Sequence, residues 1–254
     1  MLVAVTRALS PRINDRELTF LDREPIDFGR ATAQHEDYEK RLEAHGCRVV
    51  RVDAEPSLPD AVFVEDAAIV LDEIAVITRP GAASRRGETA SIARALQRYR
   101  AIRFIEAPAT IDGGDVLRVG TTLFVGQSRR TTNRGIAQLR ELLEPLGYTI
   151  VPTPMSDCLH LKSAATLIGK RTILFNPDCV EPQLFGDVDA IAVDPSEPAA
   201  ANALGLNETV LMSASHPRTR RVLEQRGFHV EAIESDEMEK AEAGVTCCSI
   251  IFET

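Results

Sequence analysis

The sequence predicts an α/β ring of five similar strand–strand–helix–strand units, arranged as in a propeller, with the fifth unit shared between the two chain ends. Three observations predict it. First, apolar runs and helical stretches recur in the same order four times along the 254 residues. Second, a polar or reactive residue stands at the start of each unit: Glu65, Asp112, His160, Asn202 and Cys247, at spacings of 47, 48, 42 and 45 residues. Third, the run opened by Cys247 ends the chain, and the second strand, helix and closing strand that it lacks are found at the other end.

The N-terminal "LVAVTRA" is the second strand of the shared unit, "HEDYEKRLEAHG" its helix and "CRVVRV" its closing strand. Between them lies an insertion, 10–34, which is polar, charged and proline-bearing; a lid or surface loop is expected there. Unit one has a first strand within 64–71, an Asp-Glu turn, "IAVITRP", a helix over 88–99 and "IRFIEAP". Unit two reads "IDGGDVLRV", "TLFVGQS", the helix in "RRTTNRGIAQLRELLEPLG" with its Leu-Gly stop, and "YTIVPTP". Unit three reads "HLKSAATLIG", "RTILFNPD", a shorter segment 179–185 and "AIAVDP". Unit four reads "ANALGL", "ETVLMSA", the helix "HPRTRRVLEQRG" and "FHVEAI". One catalytic domain over 1–254 is expected.

Composition limits the function. The chain is 44% hydrophobic and 26% charged, enough for a proper core, and its net charge of −9 argues against a nucleic-acid surface. No run approaches the ~18–20 apolar residues of a membrane span. The N-terminus has no basic segment or cleavage pattern of a signal peptide, so a cytoplasmic location is expected. The five cysteines are odd in number and contain no CxxC pair. Free thiols are therefore expected, without a disulfide framework or structural zinc.

Equivalent first-strand positions in a ring point at one central site. A cysteine, a histidine and a carboxylate there are a nucleophile, an acid–base group and an orienter. A nearby imidazolium would lower the Cys247 thiol pKa, and a carboxylate would fix the histidine tautomer. Adjacent strand residues face opposite sides, so Cys247 faces the axis and Cys248 packs into the core. A buried cysteine is ordinarily just a small core residue; the register singles out Cys247. Asp112 precedes Gly-Gly, which by itself reads as a turn, but the alternating residues that follow favour close backbone approach instead. Arg85 and Arg130 stand just before the helices of units one and two, where they could clamp a carboxylate.

The segments "LPDAVFVED", "ITRPGAASRRGE", "DGGDV", "GQSRRTTNRG", "CLHLKS" and "GVTCCS" resemble, in order and over nearly the whole chain, the dimethylarginine dimethylaminohydrolases. The resemblance implies the five-bladed α/β propeller (pentein) of the guanidino-group-modifying superfamily. It implies hydrolysis of asymmetric dimethylarginine or monomethylarginine to citrulline and an amine through a covalent cysteine intermediate. It implies Cys247 as nucleophile, His160 as general acid–base and Asp112 as its carboxylate partner. Asp60 and Asp66 would hold the guanidinium with Glu65 beside them, Arg85 and Arg130 would face the substrate carboxylate, Ala241 would offer a backbone carbonyl to the α-amino group, and Leu18 would be the lid leucine. No cofactor and no catalytic metal are implied; a zinc ion on the Cys/His pair would inhibit. The partner is a small guanidino compound, bound by a monomer or homodimer. Two rival readings remain. One is a deiminase of free arginine, although such enzymes typically carry an added helical domain. The other is a non-catalytic ring-shaped binding protein, which the cysteine, histidine and carboxylate on the axis disfavour.

Overall fold

The computed structural model describes residues 1–254. The chain opens with β1 (Leu2–Arg7), α1 (Phe28–Ala44) and β2 (Cys47–Val52). The first complete unit is β3 (Ala68–Val70), β4 (Ile74–Ile77), α2 (Thr89–Leu96) and β5 (Ala101–Phe104). The second is β6 (Val116–Val119), β7 (Thr122–Gly126), α3 (Asn133–Leu143) and β8 (Thr149–Thr153). The third begins with the single turn α4 (Leu161–Ala164), then β9 (Ala165–Leu167), β10 (Thr172–Phe175) and β11 (Asp189–Ala192), with a 3₁₀ turn Pro182–Phe185 in place of a helix. The fourth is β12 (Leu204–Leu206), β13 (Thr209–Ser213), α5 (Pro217–Gln225) and β14 (His229–Ile233). The short α6 (Asp236–Glu239) and β15 (Ile250–Glu253) end the chain.

Each unit forms one three-stranded sheet, and the fifth is β15-β1-β2. Within every sheet the first strand runs antiparallel to the second and the second parallel to the third. The register Leu2↔Glu253 through Val5↔Ile250 joins the two chain ends and closes a five-bladed α/β propeller.

Five apolar cores lie between neighbouring blades, and the middle strands serve two cores each. Along β1, Ala4 enters one core while Val3 and Val5 enter the next. Along β4, Val76 and its neighbours Ala75 and Ile77 divide in the same way, as do Phe124 against Leu123 and Val125 on β7. The period of two is there, but both faces are apolar, so these strands read as unbroken hydrophobic runs. Three helices end at a glycine in the left-handed region, Gly46, Gly147 and Gly227, with φ of 87°, 89° and 88°. Each sits immediately or shortly before a closing strand, where a residue with a Cβ would be strained.

Three expectations need correction. The residues that begin each unit are not on strands. Glu65 lies in a 3₁₀ turn, Val64–Ala67; Asp112 and His160 cap short helical turns; Asn202 follows one; Cys247 lies in a turn before β15. These segments are largely buried, so their composition looks like that of a central strand. Helix α1 starts at Phe28, so it takes in the last part of the insertion expected over 10–34. Its first two turns bury only Ala31 and Gln34, which leaves too little apolar periodicity to mark them. Finally, Cys158 and Cys179 form a disulfide, against the expectation of free thiols; Cys47, Cys247 and Cys248 are free. The bridge joins the loop before α4 to the turn after β10, a proximity that only the folded blade creates.

Candidate active site

Two spaces lie at the centre of the ring. An axial cavity of about 280 Å³ is lined by first strands of all five blades, including Ile69, Leu117, Thr166, Leu204 and Ile250. A smaller cavity of about 20 Å³ lies by the turns that precede those strands. Cys247, His160, Asp66, Asp60, Arg85, Arg130 and Ala241 all line this smaller space, with Glu17, Phe63, Leu159, Glu242 and Ala243.

His160 Nε2 lies 3.0 Å from Asp112 Oδ2, and the other Asp112 oxygen accepts from the Gly81 amide at 2.8 Å. His160 Nδ1 lies 3.8 Å from Asp66 Oδ1. Burial alone would push the imidazole pKa down, but the surrounding charges of Asp66, Asp112 and Asp115 outweigh it and raise it to about 9. The imidazole is therefore cationic at neutral pH. Asp66 is also deeply buried; the charges of His160 and Arg85 overcome that penalty and hold its carboxyl at about 2. It accepts from Arg85 at 2.6 Å and from the Gly114 amide at 3.0 Å.

The Asp-Gly-Gly stretch has a steric purpose. A Cβ on Gly113 would stand 2.0 Å from the Glu65 carbonyl oxygen, and one on Gly114 would stand 2.7 Å from Asp66 Oδ1. Both glycines let the second unit pack its backbone against the first at the axis.

The thiol of Cys247 accepts from the Gly244 amide at 3.4 Å, and Asn202 Nδ2 lies 3.9 Å away. Asn202 also holds the preceding Thr246 through both amide and hydroxyl. Burial, then the charges of Glu65 and Asp66, push the Cys247 thiol up to about 12. The surroundings of the sulfur are thus acidic, not the cationic setting expected from sequence, and no hydrogen bond joins it to His160. Cys248 lies in the core beside Tyr38 and Val245. The two side chains diverge because consecutive residues of a turn point in different directions, which replaces the strand argument.

The two arginines differ. Arg85 is buried and engaged by Asp66 at 2.6 Å and Glu88 at 2.9 Å. Arg130 has no carboxylate partner, and its guanidinium donates only to Thr19 Oγ1, at 3.2 Å. Asp60, whose pKa burial raises, accepts the Glu17 amide. Glu242, with φ of 57°, accepts the amides of Thr19, Phe20 and Leu21. These bonds draw the segment 16–21 over the small cavity. Leu18 is half-buried on this segment, but it is Glu17 that reaches the cavity lining.

Glu65 does not join the group. It faces the axial cavity, where it pairs with Lys162 at 2.8 Å and accepts from Thr246 Oγ1 at 2.8 Å. Adjacent residues of the 3₁₀ turn thus serve opposite sides. Asp66, Asp112 and His160 offer three ligand atoms within 4.8 Å of one another. Each already bonds to protein groups, so no metal is assigned to them. Sequence reasoning missed Glu242 and Asp115; the second aspartate of "DGGDV" was the only signal for the latter.

Residues 14–183 match the family described as N,N dimethylarginine dimethylhydrolase, eukaryotic. The chain is 40% identical to the N(G),N(G)-dimethylarginine dimethylaminohydrolase of Streptomyces coelicolor over 249 residues, covering 97% of this chain and 95% of that protein. It superimposes with a TM-score of 0.94, at 32% identity, on a cysteine-to-serine mutant of the Pseudomonas aeruginosa enzyme complexed with citrulline, covering 98% of both chains. The same score and identity hold for a histidine-to-glycine variant of a dimethylarginine dimethylaminohydrolase in an adduct with S-methyl-L-thiocitrulline, over 99% of this chain and 100% of that one.

Proposed function

The chain belongs to the dimethylarginine dimethylaminohydrolase family, and from that membership we propose that it hydrolyses Nω-methylated L-arginine to citrulline and dimethylamine or methylamine. The observation that carries the reading is that Cys247 and His160 line one small cavity with Asp60, Asp66 and Arg130. That set contains a nucleophile, a cationic acid, two carboxylates for a guanidinium and a free guanidinium for a carboxylate.

Substrate enters with the segment 16–21 displaced, because a space of about 20 Å³ cannot hold an arginine. Asp60 and Asp66 hold the guanidinium. Arg130 takes the α-carboxylate, Arg85, paired with Asp66 at 2.6 Å, holds that guanidinium-binding carboxylate in place, the Ala241 carbonyl faces the α-amino group, and Leu18 closes over the ligand. The resting thiol is neutral, with a pKa of about 12. A guanidinium beside it offsets the carboxylate charges that oppose ionisation, so substrate binding itself favours the thiolate, the thiol proton leaving to solvent because His160 is already protonated. The thiolate adds to the central guanidino carbon. Imidazolium His160, oriented through Nε2 by Asp112, protonates the departing amine as the C–N bond breaks. An S-alkylthiouronium remains on Cys247. Neutral His160 then accepts a proton from water, which attacks the same carbon; the C–S bond breaks, releasing citrulline and the thiol. Thiolate and imidazole supply both the nucleophile and the proton transfers, so the scheme calls on no metal or organic cofactor.

The test is citrulline formation from asymmetric dimethylarginine, monomethylarginine and arginine, in chelator. Turnover of the methylated substrates is expected. Equal or faster turnover of arginine would make the protein a deiminase, and turnover of none would favour a binding protein.

A further inference from the structure

Asp115 is fully buried yet has no place in the reaction above. Its carboxylate makes three hydrogen bonds. Oδ1 accepts the amide of Leu161, the residue after His160, at 3.0 Å. Oδ2 accepts the hydroxyls of Ser128 at 2.5 Å and Thr131 at 2.6 Å, which flank Arg130. Those hydroxyls serve the site in turn. Ser128 Oγ accepts the amides of Arg130 and Thr131, at 3.0 and 3.3 Å, and Thr131 Oγ1 accepts the amide of Asp112 at 3.2 Å. One side chain on the second unit thus links the loop carrying Arg130, the backbone of Asp112 and the turn carrying His160 on the third unit.

We propose that Asp115 is a positioning residue that fixes the acid–base histidine and the carboxylate-binding arginine relative to each other. The proposal rests on the roles assigned above to His160 and Arg130. The spacing between these groups must match an arginine whose guanidinium and carboxylate lie at opposite ends. A link through a buried, triply bonded carboxylate transmits little slack. Asp115 also adds negative charge near His160. The other charged groups facing the imidazole are Asp66 from the first unit, with Arg85 behind it, and Asp112 from the second. Burial raises the Asp115 carboxyl to about 6, with the His160 charge opposing that rise, so it is largely ionised at neutral pH.

Asp115→Asn tests the charge, since an asparagine oxygen still accepts the Leu161 amide. The His160 titration midpoint, read by NMR of ring-labelled protein, is expected to move down from about 9 in the wild type. Loss of alignment is expected to lower kcat for asymmetric dimethylarginine about tenfold or more. Ser128→Ala removes one of the two hydroxyls that tie the Arg130 loop to Asp115, and with it the acceptor of the Arg130 and Thr131 amides, while the Leu161 bond stays. It is expected to raise KM about threefold or more while leaving kcat and the His160 midpoint near wild type. An unmoved midpoint in Asp115→Asn, or an unchanged KM in Ser128→Ala, would overturn the proposal. If Asp115→Asn fails to fold, Ser128→Ala decides alone. Absence of turnover in the wild type would instead defeat the proposed function, and the NMR titration would still decide whether Asp115 governs His160.

Discussion

Gly114→Ala puts a single methyl group between Asp66 and His160. Its Cβ would lie 2.7 Å from Asp66 Oδ1, 2.9 Å from His160 Nδ1 and 3.0 Å from His160 Cγ, where ordinary contact begins near 3.4 Å. The carboxylate must therefore retreat by roughly 0.7 Å and the ring by about 0.5 Å. Neither retreats freely. Asp66 is backed by Arg85 at 2.6 Å and His160 is bonded to Asp112 at 3.0 Å. Overpacking of this kind costs about 1–3 kcal/mol, which in a chain of this length lowers Tm by about 2–12 °C. The effect on chemistry is larger, because a misplacement of about 1 Å can cost about 100-fold in rate. A loss of about 10- to 100-fold in kcat follows for the smaller shift expected here. The assay is citrulline formation from asymmetric dimethylarginine, with Tm recorded on the same preparation. Gly169→Ala is the control, since its Cβ would meet nothing closer than 3.5 Å and should change neither quantity. A folded Gly114→Ala enzyme with kcat within twofold of wild type would show that Asp66 and His160 absorb the methyl group without loss of alignment.

Further outcomes follow from the same geometry. On the proposed role of Arg130 at the α-carboxylate, Arg130→Ala removes a charged hydrogen bond worth about 1.5–3 kcal/mol, so kcat/KM should fall about 10- to 100-fold; a substrate lacking the α-carboxylate should not feel the change, and equal losses on both would contradict the proposed role. The folded pKa of His160 lies above its ordinary value, so its stabilising contribution is complete below pH 6.5 and is lost as pH rises through about 9. The urea midpoint should decline across that window, and His160→Asn should flatten the decline. Replacing Cys158 and Cys179 together with serine opens a loop with a sequence separation of 21. Loop-closure entropy then predicts a loss of about 3 kcal/mol, seen as a lower urea midpoint that reducing agent produces in wild type but not in the variant.

Much of the architecture is legible in the sequence because the blades repeat their order of elements. The middle strands announce themselves as apolar runs, and the glycines at 46, 147 and 227 mark where helices stop. The near-constant spacing of the blades is also enough to place Cys247 and His160 in register. Local conformation at the axis is not legible. Segments such as "VFVED" are buried all round, so neither a period of two nor one of 3.6 can emerge, and a 3₁₀ turn passes for a strand. That turn is why Glu65 and Asp66, adjacent in sequence, separate onto different cavities. The charge around Cys247 is hidden for a related reason: it depends on which carboxylates the turns deliver, and those come from another blade. The Cys158–Cys179 bridge and the threefold bonding of Asp115 likewise arise only when distant segments meet.

The proposed reaction turns on a covalent bond between Cys247 and the guanidino carbon. Acid-quenched turnover of asymmetric dimethylarginine, followed by peptide mass mapping, tests it directly. A thiouronium adduct is expected on Cys247, retained in Cys248→Ser and absent in Cys247→Ser, with citrulline formation lost in the latter alone. An adduct on Cys248, or undiminished citrulline formation by Cys247→Ser, would contradict it.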